Sequence, residues 1–246
     1  MGKVHIRVGT SGWSYKEWKG SFYPAKLPAE EMLRFYAGRF PTVEVNNSFY
    51  RIPAERVLVT WAEQVPDTFR FVVKASRRVT HNHRLADADG SLDYFLRANN
   101  PLGDRLGPTL FQLPPTFKRD VERLRDFLAR LPRRWVTAIE FRHGSWFVDE
   151  VYQLLRGRDV ALVAVDQDES EGAGSPLVAT ASWGYLRLRR SAYDRGALET
   201  WAARIGETPW SEAYVFLKHE DGSPTGPAAA GEMDEIIANI TNIAEK

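Results

Sequence analysis

Eight short runs rich in β-branched and other apolar residues punctuate this chain, at residues 4–8, 42–45, 69–73, 108–113, 136–141, 160–165, 184–188 and 213–217. Between them, residues 30–39, 54–64, 92–99, 121–131, 148–155, 195–205 and 229–244 space apolar and charged side chains at the helical period. Strand and helix alternating to the end of the chain leave few architectures open, because helical crossovers return each strand parallel to the one before. Eight such units in 246 residues match the length of a closed barrel. An open nucleotide-binding sheet carries G-x-G-x-x-G or G-x-x-x-x-G-K-[ST] after a strand, and neither pattern occurs here. We therefore expect an α/β fold, a TIM-like (β/α) barrel of parallel strands, as a single domain over residues 1–246. The Gly- and Pro-rich residues 221–227 read as a loop after the last strand.

Composition removes several function classes. The chain has no Cys, which excludes disulfides, thiolate-held iron–sulfur clusters, Cys-type zinc sites and a Cys nucleophile. Its formal net charge is +1, so no global field draws it to nucleic acid, and a polyanion would need a local basic site. No run of about 18 apolar residues occurs, and the N-terminus lacks the apolar stretch of a signal peptide. A cytoplasmic protein without a membrane partner is expected.

In a barrel, catalytic groups come from the C-terminal ends of the strands and the loops that follow. Those positions hold Ser11, Trp13, Glu44, Asn46, Lys74, Gln112, Glu140, Arg142, Asp166, Arg187, Lys218 and His219. The period of two puts Glu44 and Asn46 on one face of their strand and Val43 and Val45 on the other. Glu140 and Arg142 are likewise set against Ile139 and Phe141. With the apolar faces packed on helices, the charged faces point into the barrel mouth. Buried charges need partners, so the carboxylates there imply Lys74, Arg142 or Arg187 beside them.

Glu44, Glu140, Lys74 and Asp166 are the candidate catalytic groups. Two carboxylates in unequal surroundings divide acid and base roles, and a desolvated lysine can act as an amine. Arg142, Arg187 and Lys218 would hold an anion. Ser11, Asn46 and Gln112 offer hydrogen bonds, and His81 and His219 add imidazoles. Trp13, Tyr50 and Trp146 offer rings that stack a sugar or a base, although such rings equally fill a core. No cofactor is expected. The alternative is a divalent metal held by His81 and His83 with Glu140, Asp166 and His219. A serine nucleophile elbow is absent, since Gly9-Thr10-Ser11-Gly12 has the wrong spacing.

Five segments together resemble the YecE-like family, domain of unknown function 72. They are Gly9-Thr10-Ser11-Gly12-Trp13-Ser14-Tyr15 with Trp18 and Phe22-Tyr23-Pro24; residues 42–53 from Thr42 to Pro53; Phe71-Val72-Val73-Lys74 with Thr80-His81; residues 110–117 from Leu110 to Phe117; and residues 138–147 from Ala138 to Phe147. The resemblance implies a TIM-like barrel and supplies no reaction. It departs at Tyr185-Leu186-Arg187-Leu188-Arg189-Arg190, where Arg189 and Arg190 stand in place of the family's His and Gly.

The residues favour an enzyme acting on a small polar substrate, sugar-like or phosphorylated, by general acid/base chemistry at the C-terminal mouth. The alternatives are a phosphodiester-acting or nucleic-acid-binding protein with a basic mouth, a partner not favoured by the net charge, and a non-catalytic barrel that binds a metabolite. Structurally, the same charges would form an ion-pair lattice that plugs the barrel.

Overall fold

Eight parallel strands pair in chain order and the last closes on the first. They are β1 (His5–Ser11), β2 (Thr42–Val45), β3 (Arg70–Lys74), β4 (Leu106–Gln112), β5 (Thr137–Glu140), β6 (Ala161–Asp166), β7 (Trp183–Leu188) and β8 (Glu212–Leu217). This computed structural model describes residues 4–86, 90–172, 174–218 and 225–244. Among the described residues, seven α-helices surround the barrel: α1 (Met32–Ala37), α2 (Glu55–Glu63), α3 (Ser91–Ala98), α4 (Val121–Arg130), α5 (Asp149–Arg156), α6 (Arg195–Gly206) and α7 (Thr225–Ala244). The α/β barrel expected from the alternation is the fold observed.

Local chemistry sets the helix starts. Asp120 and Asp194 cap α4 and α6, accepting hydrogen bonds from the backbone N–H of Arg123 and Ala197. Leu124, Phe127 and Leu128 of α4, and Leu198, Trp201 and Ile205 of α6, are buried at the spacing of one helical face. Of the loop expected over 221–227, residues 221–224 lie outside the described residues. Residues 225–227 instead open α7, because Pro227 in a first turn forfeits no helical hydrogen bond.

Strand alternation separates two apolar layers. Val43, Val45, Phe71, Val73, Phe111, Ile139 and Phe141 pack outward against the helices. Val72, Leu110, Ala138, Val163, Trp183, Tyr185, Tyr214 and Phe216 form a second cluster that fills the barrel interior. No helix among the described residues is long and apolar enough to cross a membrane.

The alternation lapses once, between β6 and β7, where only a single 3₁₀ turn at Glu169–Glu171 forms and no α-helix appears among the described residues. β5 pairs with β6 over a short register, Ala138 with Ala161 and Ile139 with Leu162. A strap over residues 174–182 takes the helix's place. The Ser175 hydroxyl accepts from the Val165 N–H at 2.8 Å and donates to the Val163 carbonyl at 2.6 Å. The Thr180 hydroxyl accepts from Leu162 N–H at 2.7 Å and donates to the Val160 carbonyl at 2.8 Å. Two hydroxyls thereby satisfy backbone groups of β6 and of Val160 just before it that a partner would otherwise have to meet.

Close approach of β1 and β2 requires a glycine. A Cβ on Gly9 would lie 2.2 Å from the Thr42 carbonyl oxygen. We expect Gly9→Ala to cost about 1–3 kcal/mol or more by prying the two strands apart. Gly206→Ala, whose Cβ meets nothing within 4 Å, should be neutral or stabilising by up to about 1 kcal/mol. Urea denaturation of the two variants checks the contrast, and equal midpoints would show that the strand contact is slack.

Candidate functional site

The inward face of β7 presents Trp183, Tyr185 and Arg187 in succession from the closed bottom of the barrel to its C-terminal mouth. Arg187 is 2% exposed, and a buried guanidinium is tolerable only where negative charge and acceptors meet it. Its Nη2 donates to Glu44 Oε1 of β2 and its Nη1 to Glu140 Oε2 of β5, both at 2.8 Å. Each carboxylate has further donors. Glu44 Oε1 accepts from Ser11 Oγ and Asn46 Nδ2, both at 2.9 Å, and Glu44 Oε2 accepts from the Tyr185 hydroxyl at 2.6 Å. Gln112 Nε2 donates to Glu140 Oε1 at 2.8 Å.

These contacts fix protonation. Burial alone pushes the Glu44 carboxyl up, but the Arg187 charge and the hydrogen bonds from Tyr185 and Asn46 outweigh it and hold the group at about 2. Burial, reinforced by the Glu44 charge, pushes the Tyr185 phenol well above its ordinary value, so it stays a donor. Lys74 behaves oppositely. Burial and then the neighbouring Arg187 push its ammonium down to about 8, against the pull of Glu44 and Glu140. Its Nζ sits 4.5 Å from the centre of the Phe49 ring. The same ring meets His81 edge-on at 4.9 Å. Burial, then the charges of Lys74 and Arg142, lower the His81 imidazole.

Above this layer opens a polar cleft of about 360 Å³. Among its walls are Ser11, Asn46, Lys74, Gln112, Glu140, Arg142, Arg187 and Lys218, all singled out in the sequence, joined by Tyr15, Gln167 and Arg189. Glu44 lies beneath, fully enclosed, with both oxygens taken. It does not face Glu140 across open space, since one guanidinium bridges the two.

Other sequence candidates go elsewhere. Asp166 is not brought to the cleft: its carboxylate turns toward α6 and accepts from Trp201 Nε1 at 2.9 Å, Tyr193 OH at 3.1 Å and Arg190 Nε at 2.9 Å. Trp146 is enclosed in the helix layer, stacked 4.5 Å from Phe141, with its Nε1 donating to the Phe117 carbonyl at 2.7 Å. Trp13 is buried edge-on against Trp61 and lines a neighbouring cavity of about 670 Å³. Tyr50 stands 77% exposed on an outer groove. His81 is paired with the Thr80 hydroxyl at 2.9 Å. His219 lies outside the described residues. Among the described residues, no three His, Asp or Glu side chains gather as a metal-ligand set.

Sequence reasoning passed over Tyr185 as a donor, although its parity with Arg187 two residues on marks it as inward. Arg189 shares that parity and reaches the same cleft.

A family model described as "Protein of unknown function DUF72" matches residues 7–245. The UPF0759 protein YecE of Escherichia coli (strain K12) is 34% identical over 155 residues, covering 62% of this chain and 54% of that protein. The UPF0759 protein YunF of Bacillus subtilis (strain 168) is 32% identical over 160 residues, 60% of this chain and 54% of that protein. The chain spans about half the length of the curated relatives it matches. Among solved structures, a DUF72 family protein (TM1631) from Thermotoga maritima superposes with TM-score 0.82 at 29% identity, over 95% of this chain and 99% of that one. A DUF72 family protein (EF0366) from Enterococcus faecalis shares the fold with TM-score 0.75 at 20% identity, over 95% of each chain.

Because Glu44 is ionised at about 2 in the folded chain against an ordinary 4.5, its contribution to stability is present above pH 4.5 and is lost as pH falls toward 2. Glu44→Gln should flatten that acid limb. At neutral pH it should cost on the order of 3 kcal/mol by leaving Arg187 short of a counter-charge. Chemical denaturation from neutral pH down to acid measures both effects, and parallel acid limbs in the two proteins would remove Glu44 from this role.

Proposed function

The chain belongs to the DUF72 family, and from that premise and the chemistry of the mouth we propose that it is an enzyme acting on a small anionic substrate, sugar-like or phosphorylated, by general acid/base chemistry. One observation carries the reading. Among the described residues, five cationic side chains, Lys74, Arg142, Arg187, Arg189 and Lys218, line the cleft against a single lining carboxylate, Glu140, with Glu44 beneath. Arg187 is committed to those two carboxylates. Lys74 and Arg142 favour an anionic group, Arg189 and Lys218 add positive charge to the same cleft, and the Arg142 guanidinium offers the planar fork that suits phosphate or carboxylate.

Lys74 favours an enzyme over a binding barrel. A site that only held an anion would gain from a lysine charged under all ordinary conditions, yet burial depresses this one to about 8, where it can donate or accept a proton near neutrality. In the reaction class we propose, neutral Nζ takes a proton from the substrate and the resulting ammonium returns one to it. Glu140, two strands further round the barrel, orients the substrate, and Arg142 and Lys218 hold its anionic group. Glu44 acts at one remove, as a positioning residue that fixes Arg187.

Thermal unfolding with phosphosugars, free sugars and nucleotides, each with and without Mg²⁺, Mn²⁺ or Zn²⁺, tests the substrate class. A compound that binds only the folded protein raises the midpoint by mass action. We expect phosphosugars to do so, free sugars not, and Arg142→Gln with Lys218→Gln to abolish the response. Stabilisation by free sugars alone would overturn the anionic reading.

The proton-transfer role has its own signature. Competitive labelling of amines across pH should give Lys74 a midpoint near 8, well below its ordinary 10.5. With a stabilising compound that turns over, the rate should rise with pH up to about 8 and level off above, because the base must be neutral. Lys74→Met should lower it by about 10²–10⁴-fold. Lys74→Arg, which keeps the charge, should retain anion binding and lose the pH limb. Unchanged turnover in either variant would assign the chemistry elsewhere.

A further inference from the structure

Beside the mouth, the loop after β2, the turn after β3 and helix α3 enclose an open groove of about 800 Å³. Among the described residues its cationic side chains are Arg51, Arg77, Arg78 and Arg97, and its only lining carboxylate is Glu55. Arg51, Arg77 and Arg97 are exposed and take part in none of the ion pairs among the described residues. Two tyrosines stand among them. Tyr50 is 77% exposed and Tyr94 61%, and they are the only aromatic side chains among the described residues left so open to solvent. Among the described residues the groove thus combines more guanidinium than carboxylate groups with the two most exposed aromatic side chains, Tyr50 packing edge-on against Phe49 at 5.0 Å.

Charge alone explains the arginines and not the tyrosines. A phosphopeptide or a sulfated glycan would neutralise the guanidinium groups and leave two flat apolar faces in water. A strand of unpaired bases supplies phosphates and flat rings at alternating positions along one polymer, and stacking on aromatic faces tolerates any base sequence. A duplex hides its base faces and would engage only the charges. We propose that this groove binds single-stranded nucleic acid, with bases stacked on Tyr50 and Tyr94 and the phosphates held by the arginines. The site is separate from the cleft and does not depend on the reaction assigned to it. The two meet at Phe49, which lines the groove and also lies under Lys74 Nζ at 4.5 Å.

Fluorescence anisotropy of a labelled oligo(dT) against the full chain tests this directly. Binding should weaken with salt with a log–log slope of about −2 to −3, the value for three or four neutralised phosphates on a single strand. Tyr50→Ala with Tyr94→Ala should weaken binding at least about tenfold, and Tyr94→Phe should keep it. Both tyrosines are exposed, so an unchanged unfolding midpoint shows that the variants remain folded. Lys218→Gln, in the cleft, should leave oligonucleotide affinity unchanged while removing the phosphosugar response. The proposal is overturned by no binding, by equal affinity for duplex DNA, heparin or a phosphopeptide, or by loss on Lys218→Gln with none on the tyrosine variants.

Discussion

A guanidinium enclosed within a barrel must find negative charge there. Arg187 finds it on two strands, Glu44 of β2 and Glu140 of β5. The partners are separated from Arg187 by 143 and 47 residues in sequence, so the pairing ties three distant parts of the chain at one point. Ser11 and Gln112 extend the tie to β1 and β4 through the carboxylates. Breaking one partner strands the others in a medium that solvates them poorly, which makes the cluster an all-or-none element of the barrel top.

Stability alone does not favour such an arrangement. Apolar side chains of matching volume often stabilise a core as well as a buried ion triad or better, because they incur no desolvation. The lower interior follows that rule, with Val72, Leu110, Val163, Tyr214 and Phe216 filling the space. Tyr185 joins the two regimes. Its ring lies 5.3 Å from Phe216 within the apolar layer, and its hydroxyl donates upward to Glu44. Polarity therefore appears abruptly at the mouth, where a barrel presents ligands, and the costs of keeping charge there are concentrated in one layer.

How much of this was legible in the sequence depends on whether direction as well as position was encoded. The eight strands could be read because their apolar runs recur between helical stretches. Glu44 and Glu140 could be aimed because each alternates with apolar neighbours. Asp166 could not. It ends Ala161–Asp166, a run apolar on both faces, so parity carried no information, and the side chain turned out toward Trp201. Trp13 and Trp146 stand near strand ends too, but a ring at such a position is served equally well by the helix layer, which is where both are enclosed. The missing helix between β6 and β7 left a weak trace in the lack of helical spacing over residues 167–182. The replacement of its contacts by the hydroxyls of Ser175 and Thr180 had no sequence signal at all, since serine and threonine are ordinary in loops.

The two basic regions differ in the medium around their charges, and that difference sets how each can act. In the cleft, Lys74 is sufficiently desolvated for its ammonium to be depressed to about 8, so charges there interact in a low-dielectric environment that salt screens weakly. The arginines of the groove are exposed, and ions of the solvent compete with any bound polyanion. Charge in the groove can therefore gather and guide a ligand without holding its geometry, whereas charge in the cleft, fixed by the Arg187 cluster, can hold geometry within a small volume. Phe49, 4.5 Å from Lys74 Nζ on one side and lining the groove on the other, is the boundary between the two environments.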